Sequence, residues 1–242
     1  MRAAVVSDIH ANLHALEAVL ADIADESIDE IWCLGDVVGY GPLPNECCAL
    51  VREHAAVALC GNHDLAAVGS LDVAEFSGDA AAAARWTASV LEPDHRTWLA
   101  SLAPEGERAG VELYHGSPRD PIWEYVLSEQ VALLCLLETE ASLVLVGHSH
   151  VALGVSWNGD TLAGGVAGGG TVLDLAAARH LANPGSVGQP RDGDARAAWL
   201  LVDTDAREGT FRRVTYDVKR TQTEIRERGL PDILAARLAH GI

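Results

Sequence analysis

Basic residues are scarce in this chain of 242 residues, cysteines are few and no apolar run is long. Lysine and arginine number 17 against 35 acidic residues, a formal charge of −18. Nucleic-acid affinity comes mainly from basic side chains that neutralise phosphates, so this balance argues against long nucleic acid as a partner. Small phosphate esters stay compatible with it, because a metal site makes a local positive spot inside a negative protein. The five cysteines form no C-x-x-C pair and have no regular spacing, which fits buried, reduced thiols in a cytosolic protein. The most apolar stretches, 131–137 and 143–146, are well short of the roughly 18 residues a membrane helix needs. Strand character from Arg2 and Ala3 onward leaves no room for a signal peptide. A cytoplasmic protein without a membrane partner is expected.

What is present is an alternation. Ala3–Val6, Ile31–Leu34, Val57–Cys60, Val111–Tyr114 and Leu143–Val146 are short apolar runs that read as strands. Leu13, Leu16, Val19, Leu20 and Ile23 recur at helical spacing between the first two. Pro42 and Pro44 open a helix running to about His54. Two helices, Asp79–Leu91 and about Asp94–Leu102, are expected to form a cap at about 75–103, and another helix spans about Ser128–Glu138. From Val151 onward short strands dominate, separated by Gly, Asn and Asp turns, before two closing helices, Val218–Arg228 and Pro231–His240. The glycine-rich stretch 164–170 reads as a mobile loop. With no repeat and no long linker, one domain over 1–242 is expected, of two packed sheets flanked by helices.

Five motifs share one placement. Asp8-Ile9-His10, Gly35-Asp36, Gly61-Asn62-His63-Asp64, His115-Gly116 and Gly147-His148-Ser149-His150 each follow directly on an apolar run. Loops at the carboxyl ends of strands lie along one edge of an open α/β sheet, so residues far apart in the chain can converge there. Any one motif is weak: Gly35-Asp36 alone is an ordinary turn, and Gly-Asn tolerates positive φ. Together they supply carboxylate, imidazole and amide donors, a set suited to zinc, manganese or iron, and no thiolate. A carboxylate such as Asp36 can bridge two ions at the spacing used in two-metal phosphoryl chemistry.

In order and placement the series resembles the calcineurin-like metallophosphoesterases, whose pattern is D-x-H, G-D, G-N-H-[DE], H and G-H-x-H. The longer matches Ser7–Leu13, Gly35–Pro42, His115–Arg119 and Asn183–Gly188 resemble a bacterial YfcE-like phosphodiesterase subgroup, with Ala11 where that subgroup has glycine. Entry of Ala11 into the first helix would make this departure harmless. The resemblance implies an α/β (α+β) fold, a four-layer α-β-β-α sandwich with its metal site at the carboxyl ends of strands. It implies that Asp8, His10 and His150 bind one metal, that Asn62, His115 and His148 bind a second, and that Asp36 bridges. His63 resembles the family's catalytic histidine and Asp64 the carboxylate that orients it. The implied activity is hydrolysis of a phosphomonoester or phosphodiester by a metal-bridging hydroxide, with two manganese, zinc or iron ions as cofactors and a small phosphate ester as substrate. The alternatives are a metal-binding interaction scaffold of the same fold or, among enzymes, a phosphoprotein phosphatase or a dinucleoside polyphosphate hydrolase.

Around this set, Arg119 and Arg191 are candidates to grip the substrate phosphate by bidentate contacts. His14 is read as an outer-face histidine of the first helix, and His54, His95, His180 and His240 as solvated or structural. Tyr40 and Asn45 are explained by helix entry almost as well as by a pocket, and Trp123 and Tyr125 read as a core aromatic pair ahead of the alternative, a substrate wall.

Overall fold

Strands and helices follow one another along the chain for a simple reason: the apolar runs are too short for helices, and each is stopped by Gly, Asp or Asn. The computed structural model describes residues 1–176 and 178–242. Its first part contains β1 (Arg2–Val6), α1 (Leu13–Ala24), β2 (Glu30–Cys33), α2 (Pro44–His54), β3 (Ala55–Ala58) and α3 (Asn62–Val68). Next come α4 (Gly78–Val90), α5 (Pro93–Ala100), β4 (Glu105–Arg108), β5 (Val111–Tyr114), α6 (Glu129–Glu138) and β6 (Leu143–Leu145). The remainder comprises β7 (Leu153–Trp157), β8 (Leu162–Val166), β9 (Val172–Asp174), β10 (Arg179–Asn183), β11 (Ala197–Asp203), β12 (Glu208–Val214), α7 (Val218–Glu227) and α8 (Asp232–Ala236).

Two six-stranded mixed sheets result, ordered β3-β2-β1-β11-β12-β9 and β4-β5-β6-β10-β7-β8. The pairs β1–β2, β2–β3, β5–β6 and β6–β10 are parallel, so these strands end on the same side of their sheets. Side chains alternate across each strand. Ala3 and Val5 of β1, Trp32 of β2, Leu113 of β5 and Leu143 and Leu145 of β6 fill the space between the sheets with Leu200, Val202 and Phe211. Ala4, Val6 and Cys33 face the other way, onto Leu16, Val19 and Ile23 of α1 and Cys47, Cys48 and Val51 of α2. Val144 and Val146 meet Ala132, Cys135 and Leu136 of α6 on the far side of the second sheet. Strands buried on both faces explain why β1 and β6 read as continuous apolar runs. The layers are therefore helix, sheet, sheet, helix. Each large side chain in the middle layer contributes about 1.5–3 kcal/mol through burial.

Asn12 shows how the first helix is fixed. Its Oδ1 accepts the Ala15 N–H at 3.3 Å and the Thr221 hydroxyl of α7 at 3.0 Å, while its Nδ2 donates to the Gly188 carbonyl at 2.8 Å. One side chain thus caps α1 and ties it to α7 and to the loop after β10. Ala11 lies outside α1 with φ +51°, so the departure from glycine falls on left-handed backbone and not on a helical turn. Three elements are additional to the sequence reading: residues 62–68 are a helix, and β4 and β10 are strands. The stretch expected as a mobile loop begins inside β8, where Gly164 and Gly165 pair with Val155 and Gly154. All five cysteines are free and buried. Among the described residues no helix is long and apolar enough to cross a membrane.

Candidate metal centre

The parallel strands deliver their following loops to one place. Asp8 and His10 follow β1, Asp36 follows β2, Asn62 and His63 follow β3, His115 follows β5, and His148 and His150 follow β6. All are buried, none more than 4% exposed. The loops are stitched together through the backbone: Asp8 N–H donates to the Gly35 carbonyl at 3.0 Å, His10 N–H to Asp36 at 2.9 Å and Gly147 N–H to His115 at 2.8 Å. The loop after β10 closes the arrangement, with Val187 N–H on the Ser7 carbonyl and both Gly188 N–H and the Ser186 hydroxyl on that of Asp8. Asp8, His10, Asp36, His148 and His150 all have φ between +49° and +62°. Non-glycine residues rarely adopt this region, and such strain concentrates at functional sites.

Two groups of donor atoms form, Asp8 with His10, Asp36 and His150, and Asp36 with His115 and His148. Asp36 belongs to both. His150 Nε2 lies 3.5 Å from Asp8 Oδ1, His10 Nε2 3.5 Å from Asp36 Oδ2 and His115 Nε2 3.6 Å from the same Asp36 oxygen. Such separations match the edges of a coordination shell with bonds of roughly 2.0–2.2 Å. Asp8 Oδ1, Asp36 Oδ2, Asn62 Oδ1, His115 Nε2 and His148 Nε2 are buried without a hydrogen-bond partner. Buried polar atoms are normally satisfied, so the four orphans among them that belong to these donor groups call for a ligand.

The outer nitrogens show what kind of ligand fits. Nδ1–H of His10 donates to the Val38 carbonyl at 3.1 Å, that of His115 to Leu34 at 2.9 Å and that of His150 to Gln189 at 2.6 Å. A carbonyl only accepts, so in each neutral ring the proton sits on Nδ1 and Nε2 presents a bare lone pair. The Nε2 atoms of His10 and His150 are 3.0 Å apart. Two facing lone pairs repel unless a cation lies against them. A proton is a poor candidate, since burial holds both rings well below the usual imidazole range and takes His148 down to about 2. Burial also pushes Asp8 up to about 7 and Asp36 well above the carboxylate range. Neutral imidazoles beside carboxylates that resist ionising alone fit a metal cation.

His63 adjoins this cluster, its ring 4.9 Å from His10, 4.3 Å from Tyr40 and 5.0 Å from Phe76. Burial first, and then Arg191, lower its pKa to about 3. Asp64, expected to orient His63, makes no hydrogen bond to its ring, whose buried Nδ1 has no partner. Asp64 is the third residue of α3, and its carboxylate turns back to accept N–H groups from Gly61, Val37 and Val38 at 2.9–3.2 Å. It caps the helix and joins two loops, so it places His63 through the backbone. The two arginines also separate. Arg119 is turned to Glu124, 3.5 Å away, and is 36% exposed. The Arg191 guanidinium lies over the Tyr40 ring at 5.7 Å, and the Arg191 backbone N–H donates to the His150 carbonyl at 3.1 Å.

His14 is held by Glu224 at 2.9 Å, away from the donor groups. Asn45 bonds Val90 and Glu92, whereas Tyr40 packs 4.6 Å from His10. Trp123 and Tyr125 are not a core pair. Tyr125 stacks on His148 at 3.9 Å and is 45% exposed, and Trp123 meets Phe76 at 5.4 Å, so the three aromatic residues wall the mouth of the cluster. The sequence reading missed Phe76 and Gln189; for Gln189 the only signal was its position directly after Asn183–Gly188.

Comparison with known proteins agrees with this geometry. Residues 1–207 match the model of the calcineurin-like phosphoesterase superfamily domain. The chain is 38% identical over 243 residues to the uncharacterized protein MJ0912 of Methanocaldococcus jannaschii, covering 98% of this chain and 97% of that protein. Among solved structures it is similar to a metallophosphoesterase from Sphaerobacter thermophilus, with a TM-score of 0.90, 43% identity and both chains fully covered. It also shares its fold with the hypothetical protein PH1004 of Pyrococcus horikoshii OT3, with a TM-score of 0.81 and 23% identity over 100% of this chain and 98% of that one.

Proposed function

Because the chain belongs to the calcineurin-like phosphoesterase superfamily, and is on that ground a metal-dependent phosphoesterase, we propose that it hydrolyses small phosphate esters at a two-metal centre. The observation that carries this reading is the pair of donor groups sharing Asp36, with buried atoms in both that lack any other partner. Asp8, His10 and His150 would hold one ion, Asn62, His115 and His148 the other, and Asp36 both. Nitrogen and oxygen donors of this kind suit manganese, zinc or iron. Bound there, two such ions supply Lewis-acid polarisation of phosphoryl oxygens and a lowered pKa for water.

The chain's own residues do the rest. The carbonyls of Val38, Leu34 and Gln189 hold three imidazoles in the tautomer that binds metal. Tyr125, Trp123 and Phe76 keep bulk water from one side. His63, neutral near pH 7, offers an N–H to the phosphoryl or leaving-group oxygen, where charge grows during ester cleavage. This differs from a protonated histidine acting as general acid. Arg191 adds a fixed positive charge at the rim.

Metal content and turnover of 4-nitrophenyl phosphate and bis(4-nitrophenyl) phosphate, measured together with added manganese, test the reading. The wild type should carry two ions and cleave at least one ester, and Asp36→Asn should lose metal at both positions. A full pair of ions in that variant, or a loaded wild type inert on both esters, overturns it.

A further inference from the structure

Arg191 and Arg237 meet on one oxygen. Arg191 Nη2 donates to Gln189 Oε1 at 2.9 Å and Arg237 Nη1 to the same oxygen at 3.1 Å. Two guanidinium groups sharing one amide acceptor put two positive charges side by side. Among the described residues neither arginine forms a salt bridge with a carboxylate, although the chain carries 35 acidic residues against 17 basic ones. In both, Nε is buried without a partner. Guanidinium groups rarely stay unpaired when acidic residues are so abundant, and a buried, unsatisfied donor is costly. The pair also sits at the rim of the metal centre, since the Arg191 guanidinium covers Tyr40, whose ring touches His10 and His63, and the Arg191 backbone N–H donates to the His150 carbonyl.

We infer that Arg191 and Arg237 form an anion subsite beside the metal centre that takes a second phosphoryl group of the substrate. The inference rests on the phosphoesterase reading and narrows it to esters bearing two phosphoryl groups. A carboxylate carries one negative charge and matches one guanidinium, whereas a phosphoryl group brings up to two charges and three oxygens and can satisfy both forks. Arg237 lies on the last helical turn, Arg237–Ala239, beyond residues 1–207 that match the superfamily domain. The subsite is therefore completed by a part of this chain that the superfamily match leaves unassigned.

Calorimetric titration of the manganese-loaded protein with orthophosphate, inorganic pyrophosphate and propane-1,3-diol bisphosphate tests it. Pyrophosphate represents adjacent phosphoryl groups, and the bisphosphate represents groups separated by a spacer. At least one of them should bind ten times more tightly than orthophosphate or better. Arg237→Met should cut that preference by about ten- to a hundredfold, the range of a lost charge-assisted contact. Chelation of free manganese is common to all proteins compared and cancels. Arg226→Met, on the exposed side of α7, should keep the preference. If Arg237→Met does not fold, as judged by its melting curve, Arg237→Lys carries the test, because it keeps the charge, loses the fork and should still weaken the preference measurably. A preference unchanged in the folded Arg237 variant, or no preference for either two-phosphoryl ligand, overturns the inference. Heat of binding reads the subsite without turnover, so a protein inert on every ester would fail the hydrolase reading while leaving this result interpretable.

Discussion

Gly61→Ala is the smallest change that should dismantle the centre. Gly61 links β3 to α3 with φ −104° and ψ −177°, extended backbone that any residue adopts, so its requirement is for space and not for freedom. A Cβ there would lie 2.1 Å from Asp36 Oδ1, 2.6 Å from Asp36 Cγ and 2.6 Å from His115 Cε1. An ordinary non-bonded contact is about 3.5 Å, so the carboxylate must retreat by roughly 1 Å or more. It cannot simply rotate, because Oδ1 accepts the His63 N–H at 2.9 Å. The substitution thus displaces the shared carboxylate, His115 and the start of the His63 helix together. Overpacking of this kind costs about 1–3 kcal/mol of stability, and a misplacement of about 1 Å at a reacting centre costs about 10²-fold in rate. Thermal melting, metal content and ester turnover of the purified variant measure all three. Gly106→Ala is the control, since its Cβ would meet nothing closer than Leu59 at 3.5 Å. Wild-type metal content and turnover in Gly61→Ala would refute the reasoning.

His63→Ala should keep both metals and lose about 10²–10³ in turnover on esters with poor leaving groups. If the neutral imidazole acts through its N–H, His63→Gln should recover part of that loss, and the wild-type rate should show no limb from His63 between pH 5 and 8; equal rates for the Ala and Gln variants would contradict the neutral role. The ion pair between Glu30 of β2 and Arg108 of β4 joins the two sheets, and Arg108, with the Trp32 indole, holds the Glu30 carboxyl down at about 2. A depressed carboxyl stabilises fully above its unfolded value of 4.5, and that contribution fades as pH falls toward 2 because the unfolded chain is protonated first. Urea melts at several pH values should therefore show a shallower acid loss in Arg108→Met than in the wild type, and parallel curves would sink this assignment.

The convergence of the donor side chains was readable because they stand next to the strongest local signals. Each donor follows an apolar run within a few positions, so the parallel strands that bury those runs also carry the donors to one edge. The same logic fails for residues placed by long-range contact. Phe76 and Trp123 lie outside every strand and helix, and only the packing of one against the other shows that they wall the site. β10 begins with Arg179-His180, polar residues that hide a strand hydrogen-bonded between β6 and β7. His180 is tolerated there because the Ser156 hydroxyl lies 2.9 Å from its Nδ1. Residues 62–68 span only two turns, too few for periodicity to outweigh the turn signal of Gly61-Asn62. The direction of the Asp64 carboxylate was not legible, because adjacency to His63 says nothing of direction and the open N-terminus of its own helix competes for the carboxylate. Arg119 and Arg191 each follow a motif residue closely, and only packing separates the one facing Glu124 from the one facing Tyr40.

The strain in the loops bears on how the centre is held. Five donor residues in the left-handed region each cost on the order of 1–2 kcal/mol relative to ordinary backbone. Ala11, also left-handed, adds to this without donating to the centre. Yet the hydrogen bonds that hold these conformations run from loop to loop through main-chain atoms: Asp8 to Gly35, His10 to Asp36, Ala11 to Val37, Gly188 to Asp8 and Gly147 to His115. Those contacts are anchored in turn by the parallel strands beneath them, whose side chains are packed on both faces. The backbone geometry is thus tied to the sandwich, and side chains at its edge carry polar atoms that the protein itself does not satisfy. A site built this way differs from a small metal-folded module, where the ligands find their positions only on binding. Here the cost of bringing like lone pairs together is offset by the core, and a cation bound as proposed would relieve it.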